Sequence, residues 1–172
     1  VARLDYCWFD ENGELTPEVK ELNETIAREK YLAGLERSHE LAQLLGSFTA
    51  YEGTPISYGL LIPDLFELSK ISRETGREFT DFQEAYDYLR DSGKMDLTLD
   101  RYREMGKTAM RNSLMVSYMP TANTATILDN NECSEMFSGL FYTRKVLSGT
   151  FTYINRHLQR DLMEINCYTP TA

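Results

Sequence analysis

The stretch Leu114 to Glu132, LMVSYMPTANTATILDNNE, constrains the fold of this chain more than any other. Leu114 to Met119 is a short apolar run rich in strand formers, and Pro120 closes it. Thr121, Asn123, Thr124 and Thr126 then cluster around the expected start of a helix. The pattern reads as strand, tight turn, helix. Thr121 is the expected N-cap, with Ala122 to Leu128 as the first helical turns and their free N–H groups pointing back toward the strand end. Partial positive charge and unpaired donors at a helix start suit an anion, and neighbouring hydroxyls make a phosphate the natural one. The competing reading is an ordinary capped helix, because Thr-rich caps are common and few hold a ligand.

The remaining sequence bounds what such a segment can belong to. The 172 residues are the length of one domain, expected without an internal boundary. No apolar run approaches the length of a membrane-spanning helix, and the start VARLDYCWFD has neither the basic end nor the apolar core of a signal peptide. A net charge of −9 argues against a general nucleic-acid surface, which needs clustered Lys and Arg. It leaves room for one diphosphate held by a helix dipole, hydroxyls and a local Arg. Cys7, Cys133 and Cys167 are odd in number and widely spaced, so neither a disulfide framework nor a CxxC pair is expected, which suits a cytoplasmic chain. With Val as first residue, the sequence reads as a fragment of something longer.

Taken in order, Tyr6, Trp8 and Phe9 form an aromatic patch before the turn signal DENGE. Thr16-Pro17-Glu18 has cap, first-position proline and first-turn acid for a helix expected to reach Leu45 and stop at Gly46. Val19, Leu22, Ile26, Ala33, Leu41 and Leu45 are its expected apolar stripe. Glu36 and His39 make a single E-x-x-H pair, too few ligands for a metal centre, so no metal is expected. Tyr51 to Gly59 is a loop of fixed course, with two glycines and a proline. Helices are expected at Pro63 to Ser69, Asp81 to Arg90 and Leu99 to Gly106, with charge on a solvated face and no chemistry assigned. Asn130, Asn131 and Glu132 form either an exposed helix end or a supporting polar network around a site. Phe141 to Phe151 reads as extended with a turn at Ser148-Gly149, and Asn155 as cap of a last helix, Arg156 to Ile165, with Leu158, Leu162 and Ile165 facing the core.

Three stretches together resemble the large, catalytic subunit of class I ribonucleotide reductase. GLERSHELAQLLGSFTAYEGTPISYGLL is similar to the family's helix and YEGSP loop, RNSLMVSYMPTANTATILDNNECSEMF to its PMPTASTAQILGNNE segment, and FYTRKVLSGTFTYINRHLQRDL to its YTRRVLSGEF segment. Order and spacing agree over nearly the whole chain, least between residues 64 and 105. The resemblance implies an α/β fold, as a helix-rich segment of the family's ten-stranded α/β barrel with a few short strands. It implies reduction of ribonucleoside diphosphates to deoxyribonucleoside diphosphates for DNA synthesis by the complete subunit. It places the substrate diphosphate on Thr121, Ala122, Asn123 and Thr124. It also implies a radical-generating small subunit, a thioredoxin or glutaredoxin reductant, ATP and dATP effectors, and a homodimer of large subunits, with no direct nucleic-acid or membrane partner.

The sequence departs from the family at Asn123 for Ser, Thr126 for Gln, Asp129 for Gly, and Met136-Phe137 for Pro-Tyr. Asn123 can still donate but is bulkier, and Asp129 adds a negative charge. The radical cysteine, the redox cysteine pair and the relay tyrosines of the family have no match here, so no catalytic residue and no bound cofactor are expected in this segment, and the chain alone is expected to be inactive. A non-enzymatic reductase-like scaffold is the second reading. An unrelated α/β domain that binds a phosphorylated small molecule is the third.

Overall fold

The computed structural model describes residues 8–128, 130–133, 139, 141–146 and 149–167. The chain divides into two compact units, Lys20–Ser117 and Val1–Val19 with Tyr118–Ala172.

The first unit is helical. Helix α1, Pro17–Leu45, starts with Pro at its first position and stops where Gly46 takes φ 77°, as the sequence predicts. Its buried side follows the expected stripe only in part: Val19 is buried and Leu22 and Leu41 are half-buried, but Ile26, Ala33 and Leu45 are exposed and the core face is made by Leu32, Leu35, Ser38 and Ala42. The buried set repeats at three and four residues and includes a polar member, so an apolar-only stripe drifts off the true face. A 3-10 turn at Pro55–Tyr58 follows, then α2, Ile62–Thr75. Helix α2 overruns the expected Ser69 because Gly76, at φ 71°, supplies its stop. Helix α3, Phe82–Asp91, is capped by Asp81, whose carboxylate accepts from Gln83 N–H. A 3-10 turn at Leu97–Leu99 leads into α4, Asp100–Thr108.

Two apolar clusters hold this unit together. One joins Leu32, Leu35, Tyr51, Leu61, Leu99 and Met110; the other joins Leu60, Ile71, Ala85, Tyr86, Leu89 and Met95. Neighbouring Leu60 and Leu61 point into different clusters, as successive residues outside a helix do. Gly106 lets α4 approach the 3-10 turn: a Cβ there would lie 2.8 Å from Ile56 Cδ1. The Gly106 carbonyl accepts the Tyr51 hydroxyl, which ties the Gly-Pro loop to α4 and gives the loop its fixed course.

After α4 the chain crosses the middle of α1 in an irregular course. Ser38 Oγ accepts Asn112 N–H at 2.9 Å, Ser38 O accepts Arg111 N–H at 3.1 Å, and Phe48 N–H donates to Met110 O at 3.1 Å. The expected strand Leu114 to Met119 does not form: these residues have no regular structure, and both Leu114 and Met119 are exposed. Strand-forming residues need a partner backbone, and among the described residues the only ladder joins the two strands of the second unit.

In that unit Asp10 Oδ1 accepts from Asn12 N–H and Glu14 N–H, both at 2.9 Å, and Phe9 bridges Leu15, which makes the DENGE turn. Tyr6 and Cys7 lie outside the described residues. Helix α5 is Ala122–Leu128. Strands β1, Phe141–Val146, and β2, Gly149–Ile154, pair antiparallel with Val146 opposite Gly149, while Ser148 lies outside the described residues. Tyr142 and Tyr153 face each other across the ladder with ring centroids 5.4 Å apart. Helix α6, Arg156–Glu164, is capped by Asn155, which accepts from His157 and Leu158 N–H. Leu158 and Leu162 are half-buried as expected, but Ile165 is exposed, because it stands one residue past the last helical turn. Helices with two short strands match the helix-rich character expected of the chain, and the strands form a hairpin.

Candidate functional site

Helix α5 begins where the sequence places it, but Thr121 does not cap it. An N-cap holds an extended backbone and turns its hydroxyl to the N–H of the second or third helical residue. Thr121 has φ 49°, and its Oγ1 accepts Cys133 N–H at 2.8 Å. A left-handed backbone costs an L-residue about 1–2 kcal/mol, and the bond to Cys133 offsets part of that. Cys133 itself has φ 52°. Two left-handed residues twelve positions apart are thus joined across the end of α5. Thr121 O still accepts Ala125 N–H at 2.7 Å and so closes the first helical turn.

Ala122, Asn123 and Thr124 lie in that first turn and are exposed, while Ala125 is buried. The turn therefore presents its first three residues outward and anchors on the fourth. The N–H groups of a helix's first turn and a hydroxyl such as that of Thr124 are donors, which is the chemistry an anionic oxygen needs. Asn130 N–H donates to Ala125 O at 2.9 Å, and Asn130 Oδ1 accepts Asn131 N–H at 2.9 Å. Asn131 and Glu132 are half-buried. Residues 130–133 thus fold back against α5 through Ala125 and Thr121. Asp129, Met136 and Phe137 lie outside the described residues, as does the side chain of Thr126.

The E-x-x-H pair is spent on packing. Glu36 accepts from Arg101 at 3.2 Å and from the Tyr102 hydroxyl at 3.4 Å. His39 Nδ1 sits 3.0 Å from Ala109 O, a contact in which the ring nitrogen must donate. Among the described residues, no group of three or more His, Cys, Asp or Glu side chains is placed to hold a metal ion. Cys133 and Cys167 are exposed free thiols.

Sequence reasoning assigns no chemistry to residues 64–105, yet this region holds the most deeply buried charges. Asp64 Oδ1 and Arg103 Nη2 lie 2.7 Å apart, with side chains 4% and 1% exposed. The other Asp64 oxygen accepts Leu61 N–H at 2.8 Å at the start of α2. Burial pushes the Asp64 carboxyl above the usual carboxylate range, opposed by the Leu61 N–H and Arg103. Burial likewise raises the Tyr31 hydroxyl, which accepts Ile62 N–H at 3.1 Å. The acid three residues after Leu61, behind Pro63, was a readable helix-start signal. Its partner, 39 residues on, was not.

Comparison with known proteins shows the family of the chain. Residues 15–172 match the family model described as ribonucleotide reductase, barrel domain. The chain is 37% identical over 158 residues to the ribonucleoside-diphosphate reductase large subunit of Arabidopsis thaliana, covering 91% of this chain and 16% of that protein. It is 38% identical over 152 residues to the large subunit of Trypanosoma brucei brucei, covering 88% of this chain and 17% of that protein. The large subunit of Caenorhabditis elegans is also 38% identical over 152 residues, covering 88% of this chain and 16% of that protein. The chain thus spans 16–17% of the length of these relatives. No helix among the described residues is long and apolar enough to cross a membrane. With a match that runs from residue 15 to residue 172, the chain belongs to the ribonucleotide reductase family, within its barrel domain.

Proposed function

We propose that this chain is part of the large subunit of a ribonucleoside-diphosphate reductase, an oxidoreductase that converts ribonucleoside diphosphates to deoxyribonucleoside diphosphates for DNA synthesis. The observation that carries the reading is the family match over residues 15–172 together with relatives at 36–38% identity that bear that name. All 172 residues belong, on this reading, to one portion of the ten-stranded α/β barrel.

The segment's contribution is the substrate-diphosphate site. Thr121, Ala122, Asn123 and Thr124 stand at the opening of α5, where exposed N–H groups and hydroxyls can meet phosphate oxygens. Ala122 offers only its N–H, and Asn123 offers an amide in place of the family's serine hydroxyl. Asn130, Asn131 and Glu132 support the turn through the loop that returns to Ala125 and Thr121. The radical and redox cysteines come from elsewhere in the subunit, and no catalytic residue, metal or cofactor is assigned to this segment.

The complete assembly takes a homodimer of large subunits, a radical-generating small subunit, thioredoxin or glutaredoxin as reductant, and ATP and dATP as effectors, in the cytoplasm. It needs neither a nucleic-acid nor a membrane partner. The test is turnover. A large subunit carrying this sequence, mixed with a small subunit and reduced thioredoxin, is expected to convert CDP to dCDP. Binding of CDP without turnover under those conditions would favour the non-enzymatic scaffold instead.

A further inference from the structure

We infer that Asn12 is a site of spontaneous covalent modification: its side-chain amide is lost through attack by the Gly13 backbone nitrogen, at a rate set by the Asp10 carboxylate that ties the turn. The site is independent of the diphosphate reading. No other asparagine of the chain precedes a glycine. In the first step the Gly13 nitrogen bonds to Asn12 Cγ and closes a five-membered succinimide. The proton of that nitrogen goes to solvent base, and the Asn12 amide nitrogen leaves as ammonia. Water then opens the ring at either carbonyl, to give aspartate or isoaspartate, whose backbone runs through the former side chain. A glycine on the attacking side has no Cβ to crowd the ring.

Both residues are exposed, Gly13 has φ 79°, and nothing lies within 4 Å of where its Cβ would stand. Asn12 joins the turn through its N–H, and among the described residues no bond holds its side-chain amide. The turn restrains the attacking nitrogen instead. Gly13 N–H donates to Asp10 O at 3.0 Å, so attack needs that bond open. Asp10 Oδ1 keeps it closed by accepting Asn12 N–H and Glu14 N–H, and Asp10 N–H donates to Glu14 O at 2.8 Å. Beyond these stand only the Phe9–Leu15 bridge and the bond from Thr16 N–H to Trp8 O, and a ladder this short opens at little free-energy cost. Asn112, followed by Ser113, is the contrast: its Oδ1 accepts the Ser38 hydroxyl at 3.3 Å and its N–H donates to Ser38 Oγ at 2.9 Å, so its amide is held. Isoaspartate would add one backbone carbon beside Gly13, which takes the Gly13 N–H out of register with Asp10 O and leaves the turn before α1 open.

The experiment incubates a complete large subunit carrying this sequence at mildly alkaline pH and follows its proteolytic peptides by mass spectrometry. The Asn12 peptide is expected to gain about one mass unit and to split into two chromatographic species, one of them labelled by protein isoaspartate methyltransferase. The Asn112 peptide is expected to stay unchanged over the same time. Asp10→Ala removes both carboxylate bonds and speeds conversion several-fold, and unfolding in urea speeds it further. Asn12→Gln, which would need a six-membered ring, abolishes it on that timescale. If Asp10→Ala fails to fold, conversion in the folded parent, compared with the urea-unfolded chain and with Asn112, still decides. Asn12 left intact in the folded subunit while it converts in urea overturns the proposal, as does conversion of Asn112 at the same rate. Equal rates in the parent and Asp10→Ala overturn the role of the Asp10 carboxylate.

Discussion

Replacing Asp64 with Asn tests what the buried ion pair does for the helical unit. The single amide oxygen can accept either Leu61 N–H or Arg103, and the amide NH2 then faces the other donor, so shape is kept while the charge and one hydrogen bond are lost. Arg103, 1% exposed, would keep its positive charge with only Asp100 Oδ1 near its Nε, at 3.7 Å. Removing one partner of a buried pair costs about 3–5 kcal/mol. That is a large share of the roughly 5–15 kcal/mol available to a domain. With an m-value of about 2 kcal/mol/M, the urea midpoint should fall by about 2 M. The assay is urea unfolding followed by far-ultraviolet circular dichroism. Desolvation offsets much of the attraction in a buried ion pair, so apolar side chains of similar volume often replace one without loss. The double variant Asp64→Asn/Arg103→Met should therefore recover most of the loss. An unchanged midpoint in Asp64→Asn, or a double variant less stable than the single one, would refute the reasoning.

Gly106→Ala should destabilise despite a gain of about 1 kcal/mol in helix propensity. The new Cβ would lie 2.8 Å from Ile56 Cδ1 and 3.2 Å from the Ile56 backbone oxygen, and overpacking of this kind costs about 1–3 kcal/mol; a higher thermal midpoint would contradict it. Asp96 is held below the usual carboxylate range, chiefly by the Thr98 hydroxyl at 2.7 Å and also by Thr98 N–H and Arg28. Its folded value is lower than its unfolded value of about 3.9, so its contribution is present above pH ~4 and is lost as pH falls through the folded value. Asp96→Asn should thus show a smaller loss of stability than the parent on acidification below pH ~4 in urea titrations, and an equal loss would count against that role.

What the sequence made legible were features with local causes. Thr16-Pro17 and Gly46 bound α1, Asn155 caps α6, and the hairpin lies in the stretch Phe141 to Phe151 that reads as extended around a Ser-Gly turn signal, each settled by residues close to the feature. The features it hid depend on distant partners or on backbone sign. The buried face of α1 includes Ser38 because Arg111 and Asn112 pass over it, about seventy residues later. Asp64 and Arg103 look like two more surface charges until α2 and α4 pack. Thr121 carries every compositional mark of an N-cap, yet its left-handed backbone sends the hydroxyl to Cys133. Leu114 to Met119 carries strand composition, but composition supplies no partner. The motif's location at the start of α5 was readable; how its hydroxyls are held was not.

The claim that Thr121 to Thr124 hold the substrate's diphosphate meets its most direct test in a calorimetric titration of a complete large subunit with CDP, comparing the parent with Thr124→Val. This substitution keeps the side-chain shape and removes one hydroxyl from the exposed first turn of α5. Loss of a single charge-assisted hydrogen bond predicts binding weaker by ~1.5–3 kcal/mol. Affinity equal to that of the parent would contradict the assignment.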